Sequence, residues 1–395
     1  MERMVGTQVR GIRAPIIKEG DDLVEIVVSS VCKACDSGEF NIKDRDVIGI
    51  TESLVARCQG NYVTVDDIAD EVRDKFKGEV GVVFPILSRN RFSMILKGIA
   101  RGAKKVFLLL SYPCDEVGNH LMDIEKMDEC NLNPYKDVLS EFDYRKLFGE
   151  EVKHRFTGID YINMYKELAV DDNITVILSN DPTSILEYTK NVLTADIHTR
   201  KRTQRILKAA GAKIVFGIED ICSIPKHGRG HNCEYGLLGS NKASDERIKL
   251  FPSNGQEYVE KIQKRVFDIT KKHIEVMIYG DGAFKDPVGK IWELADPVVS
   301  PAFTSGLIGT PNELKLKYLA DDKLSSLSKE DLQIAVKQKI KEKTIGQIDE
   351  MASQGTTPRQ LTDILGSLCD LTSGSGDKGT PIIHIQDYFD NYATE

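Results

Sequence analysis

The sequence predicts an α/β protein built around a parallel sheet, with a helical C-terminal region. Three observations support this. The apolar runs "EVGVVFPILS", "KKVFLLLS", "NITVILSN" and "AKIVFGIED" have the length and composition of strands buried on both faces. Helical stretches such as "RNRFSMILKGIARGA" alternate with them, in the strand–helix–strand order of parallel sheets. Beyond Ser328, "SKEDLQIAVKQKIKEKTIGQIDEMA" carries a long helical pattern.

Taken in order, "EGDDLVEIVVSSVCKAC" reads as a helix capped by Asp21 or Asp22, with Leu23, Ile26, Val27 and Val31 near one face. "DRDVIGITESLVARCQGNYVTV" reads as a strand, a short polar crossing segment and a second strand, and "TVDDIADEVRDKF" as a capped amphipathic helix. The alternating apolar units start near Gly78, with a polar loop- and helix-rich stretch from Tyr112 to Val170. In "SNDP", Asn180 or Asp181 caps a further helix with a proline in its first turn. Asp220 to about Pro311 is glycine-rich, polar and poor in regular periodicity, as functional regions on α/β scaffolds tend to be. Thr357 and Pro358 open the helix "TTPRQLTDILGSL", and "TSGSGDKG" links it to a final strand-like "PIIHI".

A chain of 395 residues suggests two or three domains, and its 41% apolar and 29% charged residues are ordinary for a globular protein. A net charge of −8 argues against general affinity for nucleic acid or anionic membrane. The N-terminus lacks the apolar core of a signal peptide, and no apolar run approaches the roughly twenty residues that span a bilayer. Eight scattered cysteines then suggest reduced thiols and a cytoplasmic protein.

No GxxxxGK[ST] loop and no GxGxxG after a strand is present, which argues against the common P-loop and dinucleotide readings. Cys32 and Cys35 form a lone CxxC on a helix and read as two buried thiols. In "CSIPKHGRGHNCEYGLLGSN", the spacing of Cys222, His227, His231 and Cys233 would suit zinc, whereas Gly228 and Gly230 favour a loop holding Arg229 against an anion. The basic run containing Arg200, Lys201, Arg202 and Arg205 is either a solvated face or a polyanion site. "YGDGAFKDPVGKIWELADP" follows the buried strand "HIEVMI", which puts Asp281 just past a strand's carboxyl end, between Gly280 and Gly282. A nucleotide-borne magnesium or manganese needs only one or two protein carboxylates, here Asp281 with Asp286 or Glu234.

Several of these stretches together resemble the coenzyme F420:L-glutamate (γ-glutamyl) ligase family. "EGDDLVEI" is similar to that family's opening GDDL helix, and "DRDVIGITESLVARCQG" to its DGDV…VSKAEG element, with Arg57 in place of the lysine. "EYGLLGSN" resembles NAG(V/I)DxSN, keeping Gly236, Ser240 and Asn241, with Leu238 where the family has aspartate and Glu234 where it has asparagine. Asp281 takes the place of the aspartate in SDTxGRPWR, loosely followed by Gly289 and Trp292. The resemblance implies a ligase-like α+β core over 1–77 and 195–325, an α/β insertion over 78–194 and a helical C-terminal extension over 326–395. It further implies a homodimeric enzyme that uses GTP and Mg2+ or Mn2+ to join L-glutamate to a carboxylate acceptor, a coenzyme F420 precursor or a folate-like molecule, through an acyl-phosphate. The metal would fall to Asp281 and Glu234; the phosphates to Gly239, Ser240, Asn241, Gly282 and Gly289; and the developing charge to Arg57 and Lys290. The alternative is a nucleotide- or metabolite-binding protein on the same scaffold with altered catalysis.

Overall fold

A computed structural model describes residues 4–155, 157–280, 283–285, 292–294, 299–343, 360–374 and 376–394. Strand β1 (Gln8–Ile12) precedes α1 (Leu23–Gly38), which Asp22 caps by accepting from the Glu25 N–H. Strand β2 (Val47–Thr51) runs into α2 (Glu52–Gln59), and β3 (Tyr62–Thr64) into α3 (Val65–Phe76). The segment between β2 and β3, expected as a polar crossing, is therefore a helix, because Leu54, Val55 and Ala56 are buried on it. Thr64 and Asp67 form a capping box on α3, two orphan N–H groups satisfied reciprocally.

The alternating region follows as β4 (Glu79–Val83), α4 (Phe92–Gly102), β5 (Lys105–Leu110), α5 (Ile124–Glu129), β6 (Leu139–Ser140), α6 (Glu141–Phe148), α7 (Tyr161–Lys166), β7 (Ile174–Leu178), β8 (Asn191–Thr194), α8 (Arg200–Ala209) and β9 (Ile214–Gly217). "DPTSILE" is a 3-10 turn rather than an α-helix, with Asp181 accepting from the Thr183 N–H. Six strands pair in the order β6-β7-β5-β4-β8-β9, all parallel except the two-residue edge β6. The strand order reverses between β4 and β8: sequence-successive strands run outward through β5 and β7 on one side, through β9 on the other. The parallel sheet is the one expected from the apolar runs, and its strand order makes it doubly wound.

The glycine-rich region contains β10 (Asn241–Lys242), β11 (Arg247–Lys249), α9 (Gly255–Thr270), β12 (Glu275–Gly280), the pair β13 (Ala283–Lys285) and β14 (Trp292–Leu294), and β15 (Val299–Phe303). Helix α9 runs sixteen residues where little periodicity was expected; it buries Val259, Ile262 and Val266. Helices α10 (Leu316–Tyr318), α11 (Lys329–Glu342) and α12 (Leu361–Thr372) precede β16 (Ile382–Gln386). Ser328 caps α11 as expected; α12 starts at Leu361, while Thr357 and Pro358 lie outside the described residues.

A five-stranded sheet has the order β1-β16-β2-β12-β15, with β2 and β12 parallel. The closing strand "PIIHI" is thus an interior strand between β1 and β2. His384 on it hydrogen-bonds Asp46 at 2.8 Å, both buried. The small sheet β10-β11-β3 packs on the doubly wound region and reaches the five-stranded sheet through the Lys249–Glu52 pair. Val63, Ile68, Ile248 and Leu250 share one hydrophobic core with Val80, Leu96 and Leu108 of the doubly wound region. No helix among the described residues is long and apolar enough to cross a membrane.

Candidate functional site

Parallel pairing of β2 with β12 sets their carboxyl ends side by side, with Thr51 opposite Tyr279. One residue on, Glu52 opens α2 and Gly280 ends β12. A Cβ on Gly280 would lie 2.6 Å from Glu52 Cγ and 3.1 Å from the Phe251 ring, so this approach requires glycine. Glu52 is buried and its Oε1 accepts from Lys249 Nζ at 3.1 Å, an ion pair with both side chains under 10% exposed. Lys249 in turn stands opposite Asn241 across β10–β11 and opposite Tyr62 across β11–β3. The small sheet therefore carries Asn241 toward the end of β12.

Phe251 is the hinge of this arrangement. On its other side a Cβ at Gly239 would meet the ring at 2.3 Å, and Gly239 has a left-handed φ of 71°. Phe251 thus packs against both Gly239 and Gly280, which brings "GSN" to the carboxyl end of the strand that leads to Asp281. Ser240 is 2% exposed, and its hydroxyl has no hydrogen-bond partner among the described residues.

Two buried asparagines shape the preceding loop. Asn61 donates to the carbonyls of His231 and Phe251 and accepts from the His231 N–H. Asn232 donates to the Phe251 and Pro252 carbonyls, while its Oδ1 accepts from the N–H groups of Glu234 and Tyr235. Gly236, at φ 51°, closes the turn: a Cβ there would sit 2.2 Å from the Glu219 carbonyl oxygen. Glu234 is exposed, next to Tyr235, whose ring packs edge-on to Phe251 and whose hydroxyl is pushed up to about 12 by burial and by the Glu234 carboxylate. Arg57 is exposed on the last turn of α2. Asp281, Gly282, Asp286, Gly289 and Lys290 lie outside the described residues.

Three expectations are corrected. Arg229 does not reach for an anion; it is buried against Glu71, Nη2 to Oε2 at 2.5 Å. Cys222 is buried in the core, with its thiol pushed up to about 12 by desolvation, while Cys233 is exposed, and no group of three metal-binding side chains occurs among the described residues. This removes the zinc reading there. In the basic run, Arg200 is buried against Glu219 at 2.5 Å, whereas Lys201, which also reaches Glu219 at 2.7 Å, is exposed with Arg202 and Arg205 as the expected solvated face. Burial alone would raise the Glu219 carboxyl, but the two cations outweigh it and hold it below its ordinary value. Cys32 and Cys35 are half-buried thiols against the α1 core, raised by desolvation.

A cavity of about 350 Å³ opens on the far side of Phe251, walled by Leu238, Gly239 and Ser240 and by residues that follow β4 and β8. Leu238, at the position of the motif aspartate, is therefore an apolar wall. Glu52, Lys249 and this cavity were not foreseen. A lone acid after a strand and a lysine in "RIKLFP" carry no motif, and strand pairing alone joins them across 197 residues.

Comparison with curated proteins finds none that matches. The family described as F420-0:Gamma-glutamyl ligase matches residues 11–387, from β1 through the end of β16 and across the whole site. The chain belongs to the F420-0:gamma-glutamyl ligase family.

Proposed function

We propose that this chain is a GTP- and divalent-metal-dependent ligase that forms an amide between L-glutamate and a carboxylate acceptor, a coenzyme F420 precursor or a folate-like molecule. The observation that carries the reading is the packing of Phe251 between Gly239 and Gly280, which gathers two distant ligase-like segments at one strand end. The γ-phosphate of GTP passes to an acceptor carboxylate oxygen and GDP leaves. The glutamate amine then attacks the carbonyl carbon, phosphate departs with the C–O bond electrons, and the nitrogen gives up its proton. Such transfer needs positioning and charge neutralisation more than a reactive side chain.

The backbone at Gly239, the buried Ser240 hydroxyl, which has no partner among the described residues, and Asn241 suit phosphate oxygens, with Gly282 and Gly289 assigned the same task on the loop after β12. Glu234 and Asp281 would hold Mg2+ or Mn2+: an exposed carboxylate beside the site fits a metal that takes its remaining ligands from phosphates and water. The metal would neutralise phosphate charge. Arg57 and Lys290 are assigned to charge developing on the transferred group. The buried Glu52–Lys249 pair positions Asn241 and the end of β12.

Leu238 favours a second reading, a nucleotide- or metabolite-binding protein with altered catalysis, because it puts an apolar wall where the family pattern has a carboxylate. Asp281→Ala and Glu234→Ala separate the two. In the ligase each removes metal-dependent GDP release while thermal unfolding is unchanged; undiminished turnover in both variants would overturn the metal assignment.

A further inference from the structure

A groove of about 790 Å³ runs along the β1 edge of the five-stranded sheet, apart from the Phe251 cavity. Arg13 enters it from the chain leaving β1, Ser30 and Lys33 from one face of α1, and Lys378 and Thr380 from the segment between α12 and β16. That last segment, legible in the sequence only as a linker, is built to hold its lysine. Gly374 and Thr380 exchange backbone hydrogen bonds at 3.3 and 2.9 Å, and the Gly379 carbonyl accepts from the Ala14 N–H. Glycine at position 11 lets Thr380 close on β1, since a Cβ there would stand 3.0 Å from Thr380 Cβ.

The electrostatics of the groove are one-sided. In a chain of net charge −8, it is lined by three cations and by no carboxylate. Asp36 and Asp377 are near Lys33 and Lys378 in sequence, yet neither lines it. Arg13, Lys33 and Lys378 are exposed and form no ion pair with a described residue. Ser30 is 8% exposed, and its hydroxyl, like that of Thr380, makes no hydrogen bond with a described residue. Gathered like charges repel and a buried hydroxyl without a partner costs stability; an anion in the groove relieves both.

The kind of anion follows from what holds phosphates elsewhere, namely nests of backbone N–H groups and helix N-termini. Here the N–H groups of Ala14, Gly374, Gly379 and Thr380 are already taken, and α1 presents its later turns, toward the negative end of its dipole. Cations on three separate segments suit several spaced charges better than one compact phosphate.

We propose that this groove binds an extended polycarboxylate, whose carboxylates face Arg13, Lys33 and Lys378 and accept from the Ser30 and Thr380 hydroxyls. Strand register indicates its source. Ile12 stands opposite Ile382, which stands opposite Ile50, so β1 and β2 end on the same rim of the sheet. Two strand spacings, roughly 10 Å, separate them. Glutamates joined through their γ-carboxyl groups each keep an α-carboxylate, so a lengthening product is a chain of this kind. Identifying the ligand as that product rests on the ligase reading; the polycarboxylate site does not.

The test is calorimetric titration of the full chain, without nucleotide or metal, with three probes: the γ-linked trimer of L-glutamate, L-glutamate itself and inorganic tripolyphosphate. The trimer should bind saturably, at least about tenfold tighter than either of the others, and more weakly as salt rises. Lys33→Glu and Lys378→Glu, surface changes on different segments, should each weaken it by about fivefold and together by at least about tenfold. No saturable binding of the trimer, or equal binding by wild type and the folded double variant, overturns the proposal. Tighter binding of tripolyphosphate than of the trimer overturns the carboxylate assignment. GDP release is measured separately. Trimer binding without any GTP turnover defeats the ligase reading alone; GTP turnover without trimer binding defeats the groove alone.

Discussion

Phe251 meets two glycines, and substituting either would force the ring or the backbone to move. Gly239→Ala adds a Cβ at 2.3 Å from the ring to a residue at φ 71°, so urea denaturation should show a loss of on the order of 2 kcal/mol. A loss below about half a kcal/mol would mean that Phe251 is free to swing and does not fix the site. Lys249→Met leaves the Glu52 carboxylate buried without its cation, and should cost on the order of 3 kcal/mol by the same measurement. At this scale the family resemblance pointed to Gly239, Ser240 and Asn241 as a phosphate-suited run, and the structure packs Gly239 against Phe251. Nothing pointed to Glu52 and Lys249, since their burial is a product of strand register. Arg229 was misread for the converse reason: its partner, Glu71, lies on the hidden side of α3.

Elements were legible wherever the apolar pattern is continuous, as in β4, β5 and β7, whose burial on both faces leaves an uninterrupted run, and in the half-buried edge strand β9. They were missed where the signal is diluted. Helix α9 buries one side only, and Asn254 before it makes no side-chain cap, so nothing marks its start. Between α6 and α7 the parts are held by Arg145, which binds Asp160 at 2.7 Å with both side chains no more than 10% exposed. Burial works to raise the Asp160 carboxyl, but Arg145 and the N–H groups of Asn163 and Val152 outweigh it and hold it below its ordinary value. A lowered carboxyl contributes stability that is present above the unfolded value of about 3.9 and lost as pH falls through the folded one. The wild type should therefore lose stability on acidification below about pH 4 in part through this pair, and Arg145→Met should flatten that portion of the profile while lowering stability at pH 7. Parallel acid profiles for the two proteins would show that the pair contributes nothing.

Across the whole molecule, β1 and β16 tie the chain's two ends into one sheet, and the family match begins within β1 and stops just past β16. Deleting residues 376–395 removes the strand between β1 and β2 and exposes both of their edges, together with the buried Asp46 that His384 meets. Such a chain should lose cooperative thermal unfolding and aggregate, as read by circular dichroism and gel filtration; a soluble chain with the wild-type transition would show that the tail is dispensable. The strand-like character of "PIIHI" is visible in the sequence, but its interior position is not, because Ile382 pairs with Ile50, 332 positions earlier. Likewise the doubly wound region can be recognised from its runs, yet its shared core with β3 and β11 follows only from packing. The joint between the two regions is where phosphates and acceptor carboxylate are proposed to meet. The most direct measurement is to incubate the protein with GTP, manganese, L-glutamate and each candidate acceptor, following GDP and the amide product together. One GDP per amide, with formation requiring both glutamate and acceptor, is the predicted result; no GDP with any acceptor, and no binding of GTP by calorimetry, would contradict it.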